Sequence, residues 1–234
     1  MHEVPPIATY VFLSIVLLLI VQAFRWQRAL GIASWFIVGV CSWLAITATL
    51  ATMGFFEDFS SFPPRVALAV MPPFLAVLFI AWRTPTTLHT APMRLFVTFQ
   101  VFRVLMEMVL YSLYYAAVLP QQMTWDGRNF DVLVGITAPI VSILCLRSGK
   151  EMRGVVITWN VVSICLLVNI MIVGLLSAPT PFRVFTEGPA NRVVALWPWI
   201  WLPSFVVPMA LAGHILSLRQ LLHRRSTIVH TPVK

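Results

Sequence analysis

The chain has 234 residues, of which 59% are hydrophobic and only 10% charged, with a formal net charge of +8. A water-soluble domain carries about 25% charged residues, so this chain is too poor in charge to present water with a polar surface on every side. The same numbers exclude a disordered chain, a coiled coil and a disulfide scaffold, and they point to an all-α, polytopic membrane bundle.

A membrane-crossing helix needs roughly 20 mostly apolar residues. Seven stretches meet or approach that length: 7–24, 30–56, 66–82, 95–119, 132–146, 155–178 and 193–222. They are continuous runs of Leu, Ile, Val and Ala, not the alternating segments of a transmembrane β-barrel. The first stretch has no Lys or Arg ahead of it and no small-residue cleavage site after it. It therefore reads as a retained first helix and not a secretion signal. The fifth is short. The second and seventh are long enough to tilt or to extend past the bilayer. The remaining residues make short loops, so the expectation is a single seven-helix domain over 1–234.

Lys and Arg accumulate in cytoplasmic loops. The odd-numbered loops and the C-terminal tail hold Arg25, Arg28, Arg83, Arg94, Arg147, Lys150, Arg153, Arg219, Arg224, Arg225 and Lys234, eleven in all, against four (Arg65, Arg128, Arg183 and Arg192) on the other side. The acids lean the other way, with Glu3, Glu57, Asp58, Asp126, Asp131 and Glu187 facing Glu151. The bias predicts an outside N-terminus and a cytoplasmic C-terminus in a multi-pass protein of the cell (inner) membrane. Trp26 and Trp82 fall near one expected interface. Trp125 and the Trp197, Trp199 and Trp201 group fall near the other, where aromatic belts lie. The positive charge then faces anionic lipid. No basic patch extends into a domain that could hold nucleic acid.

The fourth stretch carries the most polar residues. At 100° per residue, Gln100, Arg103, Glu107, Tyr111 and Tyr114 fall within an arc of about 80°. A charged side chain in mid-bilayer costs ~2.5–3.5 kcal/mol on the insertion scale, so this stripe is expected to face the bundle interior. Arg103 and Glu107 stand four residues apart and are expected to pair on one helix. Matching depths adds Asn160 and His214. The expectation is a polar layer of Gln100, Arg103, Asn160 and His214 in the cytoplasmic half, capped by Glu107. Asn169, nine residues past Asn160, points the opposite way and is assigned to an interhelical bond, as are Ser42 and Ser142. Asp131 reads as the N-cap of the fifth helix. Prolines at 72, 73, 139, 198, 203 and 208 are expected to kink their helices.

Several chemistries lack their residues. A retinal Schiff base needs a lysine in the last span, and the two lysines are Lys150 and Lys234. A bis-histidine haem needs two buried imidazoles, and His214 is the one histidine inside a span. There is no HExxH, GxSxG or glycine-rich phosphate loop. Cys41, Cys145 and Cys165 form no CxxC pair and read as packing residues. The expectation is therefore no cofactor, no metal and no catalytic residue, with enzyme activity less favoured than binding. The seven residues Gln100, Arg103, Glu107, Tyr111, Tyr114, Asn160 and His214 form the candidate site of a small-molecule or anion transporter or binding protein. The partners are then the lipid bilayer, a small polar or anionic solute, and a membrane protein partner. The alternatives are a structural or accessory subunit of a membrane complex, and a sensor or receptor that reads its ligand through the Pro-bearing loops.

Overall fold

A computed structural model describes residues 4–82, 86–147 and 150–228. Of the charges counted above, Glu3, Arg83 and Lys234 lie outside these residues. The regular structure of the described residues is helical apart from a two-residue antiparallel pair, Leu146–Arg147 with Lys150–Glu151. Its helices are α1 (Pro6–Ala29), α2 (Trp35–Thr52), α3 (Val66–Trp82), α4 (Arg94–Tyr115), α5 (Asp131–Cys145) and α6 (Arg153–Ser177). α7 opens with a π-helical turn, Leu202–Val206, and continues as Val207–Ile228. Five of these are long and apolar enough to cross a membrane; α3 and α5 are apolar but shorter.

The helix boundaries correct the sequence reading in two places. The expected span 30–56 begins only at Trp35, because α1 continues to Ala29 and is stopped by Gly31, whose φ is +61°. The expected span 193–222 begins as a helix only at Leu202. Residues 193–201 form a 3-10 turn and a bend instead, since Pro198 and Pro203 offer no backbone N–H to an earlier start.

Connecting segments gather at two opposite ends. At one, the Thr87 hydroxyl donates to Leu30 O, the Gln220 amide to Ala91 O, and Arg94 to Leu146 O, while Arg153 reaches Leu221 O. At the other, Phe62 meets Phe182, Phe12 stacks on Trp199 at 4.7 Å, and the Trp201 indole N–H donates to Leu44 O.

The main core runs between α1, α4 and α7. Phe12, Ile15, Leu19 and Trp26 of α1 pack with Phe96, Phe102, Met106 and Leu110 of α4 and with Met209 and Leu216 of α7. α4 is not one continuous α-helix. It passes from α over Arg94–Val97 to 3-10 over Thr98–Val101 and back to α over Phe102–Tyr115. At the first junction the Leu95 carbonyl accepts from both the Gln22 amide (2.9 Å) and the Trp26 indole (3.1 Å). Side chains of α1 thus bind the backbone where the helix changes pitch.

α5 is short because it starts inside the bundle. The segment after α4 turns at Ala117, with φ +54°, and folds back between α4 and α6. Arg128 O accepts from the Asn169 amide at 2.7 Å, a level eight residues, or ~12 Å, below the end of α6. Irregular backbone at such depth must be satisfied internally. Here Gly127 N and Asn129 N donate to Thr124 O, Arg128 N to Gln122 O, and the Thr124 hydroxyl to Gln121 O. Gly127 is required, since a Cβ there would stand 2.3 Å from Gln121 O.

α5 then crosses α4 closely at Gly135, where a Cβ would meet the Val104 amide nitrogen at 2.8 Å. Gly135→Ala must push the two helices apart, and the expected loss is about 1–3 kcal/mol, read as a lower midpoint in thermal or denaturant unfolding of the purified protein.

The loop between α2 and α3 is held by charge. Asp58 accepts from the Ser60 hydroxyl (2.6 Å) and amide (3.0 Å) and pairs with Arg65 at 3.0 Å. These bonds, the Ser60 hydroxyl first, hold the Asp58 carboxyl below its usual value. A lowered folded value stabilises the loop above the unfolded value of ~3.9 and ceases to do so as pH falls through the folded one. Asp58→Asn should therefore lower stability at neutral pH and flatten the acid limb of a stability-against-pH profile, so that variant and unmodified protein converge at low pH.

Candidate functional site

Four of the expected residues meet at the α4–α7 contact. In a 3-10 turn, residues three apart eclipse one another. Gln100, within that turn, and Arg103, just past it, accordingly face the same helix. The Gln100 amide donates to Ala210 O at 2.9 Å, and one turn further along α7 the Arg103 Nη1 lies 3.4 Å from His214 Nε2. His214 Nδ1 lies 2.9 Å from Asn160 Oδ1 on α6. Asn160 Nδ2 donates to the Ser217 hydroxyl (3.0 Å) and to Val156 O (2.8 Å). All of these side chains are buried, with Gln100, Asn160, His214 and Ser217 fully enclosed.

The direction of the chain follows from donor chemistry. A guanidinium only donates, so the ring nitrogen facing Arg103, Nε2, is the acceptor. Nδ1 then carries the hydrogen and donates to Asn160 Oδ1, which leaves Asn160 Nδ2 free to donate onward. Trp159 lies against the imidazole at 5.3 Å and is itself anchored through its indole N–H to the Thr137 hydroxyl at 2.9 Å.

The ion pair is a correction. Arg103 does not pair with Glu107. Its Nη2 stands 3.0 Å from Asp131 Oδ2. Asp131 is correspondingly not the N-cap: that position is Phe130, and Asp131 lies in the first turn of α5. The reason is the folding back of residues 116–130, which lowers the start of α5 to the level where Arg103 can reach it. Glu107 meets the same segment by another route. Its Oε1 accepts from the Asn129 amide, which also donates to Met123 O at 3.2 Å, while Asn129 Oδ1 accepts from Asp131 N at 3.1 Å. Glu107 Oε2, Asp131 Oδ1 and Gln100 Oε1 are buried oxygens without a hydrogen-bond partner among the described residues.

Tyr111 and Tyr114 sit further along α4 and do not join this network. They are half-buried, 5.9 Å apart, and Tyr111 stacks on Trp125 at 4.9 Å. They form an aromatic shelf between the network and the nearer end of the bundle. Ser142 accepts from the Thr98 hydroxyl at 2.7 Å and so links α4 to α5. Asn169 bonds the folded-back segment rather than a helix, and Ser42 is exposed.

Sequence reasoning did not find Asn129, Asp131 as an ion partner, or Ser217. Ser217 carried a signal, since it follows His214 by three residues and shares its face. Asn129 and Asp131 carried none, because a polar pair in a charged loop looks like a solvated turn.

Apolar helices of this length around a buried polar core are compatible with a membrane protein. The chain belongs to the family described as Domain of unknown function (DUF8737), whose pattern matches residues 62–222 and so includes every residue of the network. No curated protein and no solved structure matches the chain.

Removing one partner from a buried pair leaves an uncompensated charge, at a cost of about 3–5 kcal/mol. Arg103→Ala and Asp131→Ala should each show that loss in unfolding midpoints. The double variant should be less destabilised than the sum of the two, which a double-mutant cycle measures. Glu107→Ala paired with Arg103→Ala should show weaker coupling.

Proposed function

We propose that the chain is a multi-pass inner-membrane protein of seven crossings, with an outside N-terminus and a cytoplasmic C-terminus. The support is the eleven-to-four division of Lys and Arg together with loops that gather at two opposite ends. α3 and α5 are the short crossings, and the folded-back segment 116–130 supplies the depth that α5 lacks.

Within that frame the network around Arg103 is the transport site of a small carrier. The observation that carries this reading is one buried guanidinium against two buried carboxyl groups, each of which keeps an unpartnered oxygen. An intramembrane ionisable group marks a pathway by default. The charge count also selects the solute. An anion at Arg103 would displace Asp131 and face Glu107, whereas a proton or a small monovalent cation completes the charge. The solute side is therefore cationic or neutral, and the Gln100–Arg103–His214–Asn160–Ser217 chain is the polar route beside it. Discontinuous helices supply such sites in transporters, and two of the four helices that bear this network change pitch along their length, α4 at Thr98–Val101 and α7 at Leu202–Val206.

The test is cation or proton flux into proteoliposomes under an imposed gradient. Glu107→Gln keeps an acceptor for Asn129 but removes one carboxylate, and it should lower flux by roughly tenfold or more with an unchanged unfolding midpoint. Flux that is absent in the unmodified protein, or equal in Glu107→Gln, would transfer the network to a packing role in an accessory subunit. Cysteine labelling at Ser61 and Arg28 from the two sides of the membrane reads the orientation separately.

A further inference from the structure

α7 has two working faces. One bears Ala210, His214 and Ser217 and meets the charge network. The other bears Ser204, Pro208, Met209 and Ala212 and forms the floor of a cavity of about 460 Å³. Its sides are α2, with Gly39 and Trp43, and α3, with Pro72, Pro73 and Ala76. α2 and α3 follow one another in sequence but do not close on each other. α2 packs on α1 and on the turn at Phe55–Glu57, and α3 packs on α7 and its π-turn. A gap remains between them, and at Gly39 it is open: a Cβ added there meets nothing within 4 Å.

The wall chemistry is selective. Among the described residues, no Asp, Glu, Lys, Arg or His lines the cavity. The Ser204 hydroxyl is already taken up by Ile200 O at 2.8 Å, and the prolines have no N–H to give. A polar solute would lose its hydration here and gain little beyond the buried, unpartnered indole N–H of Trp43. The volume falls within the ~300–1,000 Å³ typical of small-molecule sites. One end of the cavity is formed by Leu30, Ile32, Trp35 and Ala81. That is the end of the bundle where Arg25, Arg28 and Arg94 lie, a cationic surface complementary to a phosphate headgroup.

We infer that the cavity between α2 and α3 seats one hydrocarbon chain of an anionic lipid, which enters from the leaflet on the basic side. The chain lies on the apolar face of α7 and the headgroup stays at the Arg-bearing end. The inference rests on the membrane reading above but not on transport, and it involves none of the network residues.

The experiment is native mass spectrometry of the purified full chain in detergent, with phosphatidylglycerol or phosphatidylcholine added in parallel. The unmodified protein should retain one phosphatidylglycerol per chain, several-fold in excess of phosphatidylcholine. Gly39→Phe places a ring in the open gap and should lower retention by roughly tenfold, while Gly39→Ala should keep it. Should Gly39→Phe fail to fold, Ala76→Leu on the facing wall reads the same loss. Equal retention by the filled and unfilled proteins would overturn the site. Equal retention of the two headgroups would overturn the anionic assignment. A Gly39→Phe protein that changes oligomeric state while holding its lipid would assign the gap to a second copy of the chain and overturn the proposal. Lipid retention lost with cation flux intact separates this site from the network, and the converse result in Glu107→Gln separates the network from this site.

Discussion

The architecture of the second half of the chain depends on one guanidinium. Arg103 finds no acid on its own helix that it can use, because Glu107 is engaged by Asn129. A buried charge must be met. Asp131 meets it at 3.0 Å, and this is possible only because α5 begins two turns inside the bundle. The descent of residues 116–130 and the shortness of α5 bring Asp131 to that level, and α5 then crosses α4 closely at Gly135.

The network is fixed in direction as well as in place. A guanidinium that only donates makes His214 Nε2 an acceptor, which makes Nδ1 a donor, which sets Asn160 and then Ser217. Each group is buried and the links join three pairs of helices: α4 to α5, α4 to α7, and α7 to α6 twice. Such a chain specifies one relative setting of four helices that apolar packing alone would leave free to slide. The same rigidity suits a site whose geometry must persist while charge enters and leaves.

The two faces of α7 divide the molecule. On one side α4, α5 and α6 pack tightly and share polar contacts. On the other, α2 and α3 lean on α1 and α7 with an apolar gap between them. The prolines contribute to both halves. Pro203 lies within the π-turn of α7 and Pro208 just past it, and the widened pitch re-aims the residues that follow. Pro72 and Pro73 sit inside α3 where it borders the gap.

Much of this was legible in the residues themselves. The apolar runs placed seven helices, because burying hydrocarbon against hydrocarbon is a property of composition and length. The 100° periodicity put Gln100, Arg103 and Glu107 on one face, and depth alone brought Asn160 and His214 to the same level, since rise per residue is constant along any helix. What the one-dimensional pattern could not decide was partnership. Local spacing offered Glu107 to Arg103, and a loop position offered Asp131 to a helix cap; only the folding back of 116–130 in three dimensions exchanged those roles. The apolar runs likewise started α2 and α7 too early, where Gly31 and Pro198 intervene, and they gave no sign that α2 and α3 stand apart. Helix existence follows from the free energy of each segment, whereas ion pairs and gaps follow from which segments meet, and that is settled by the whole chain at once.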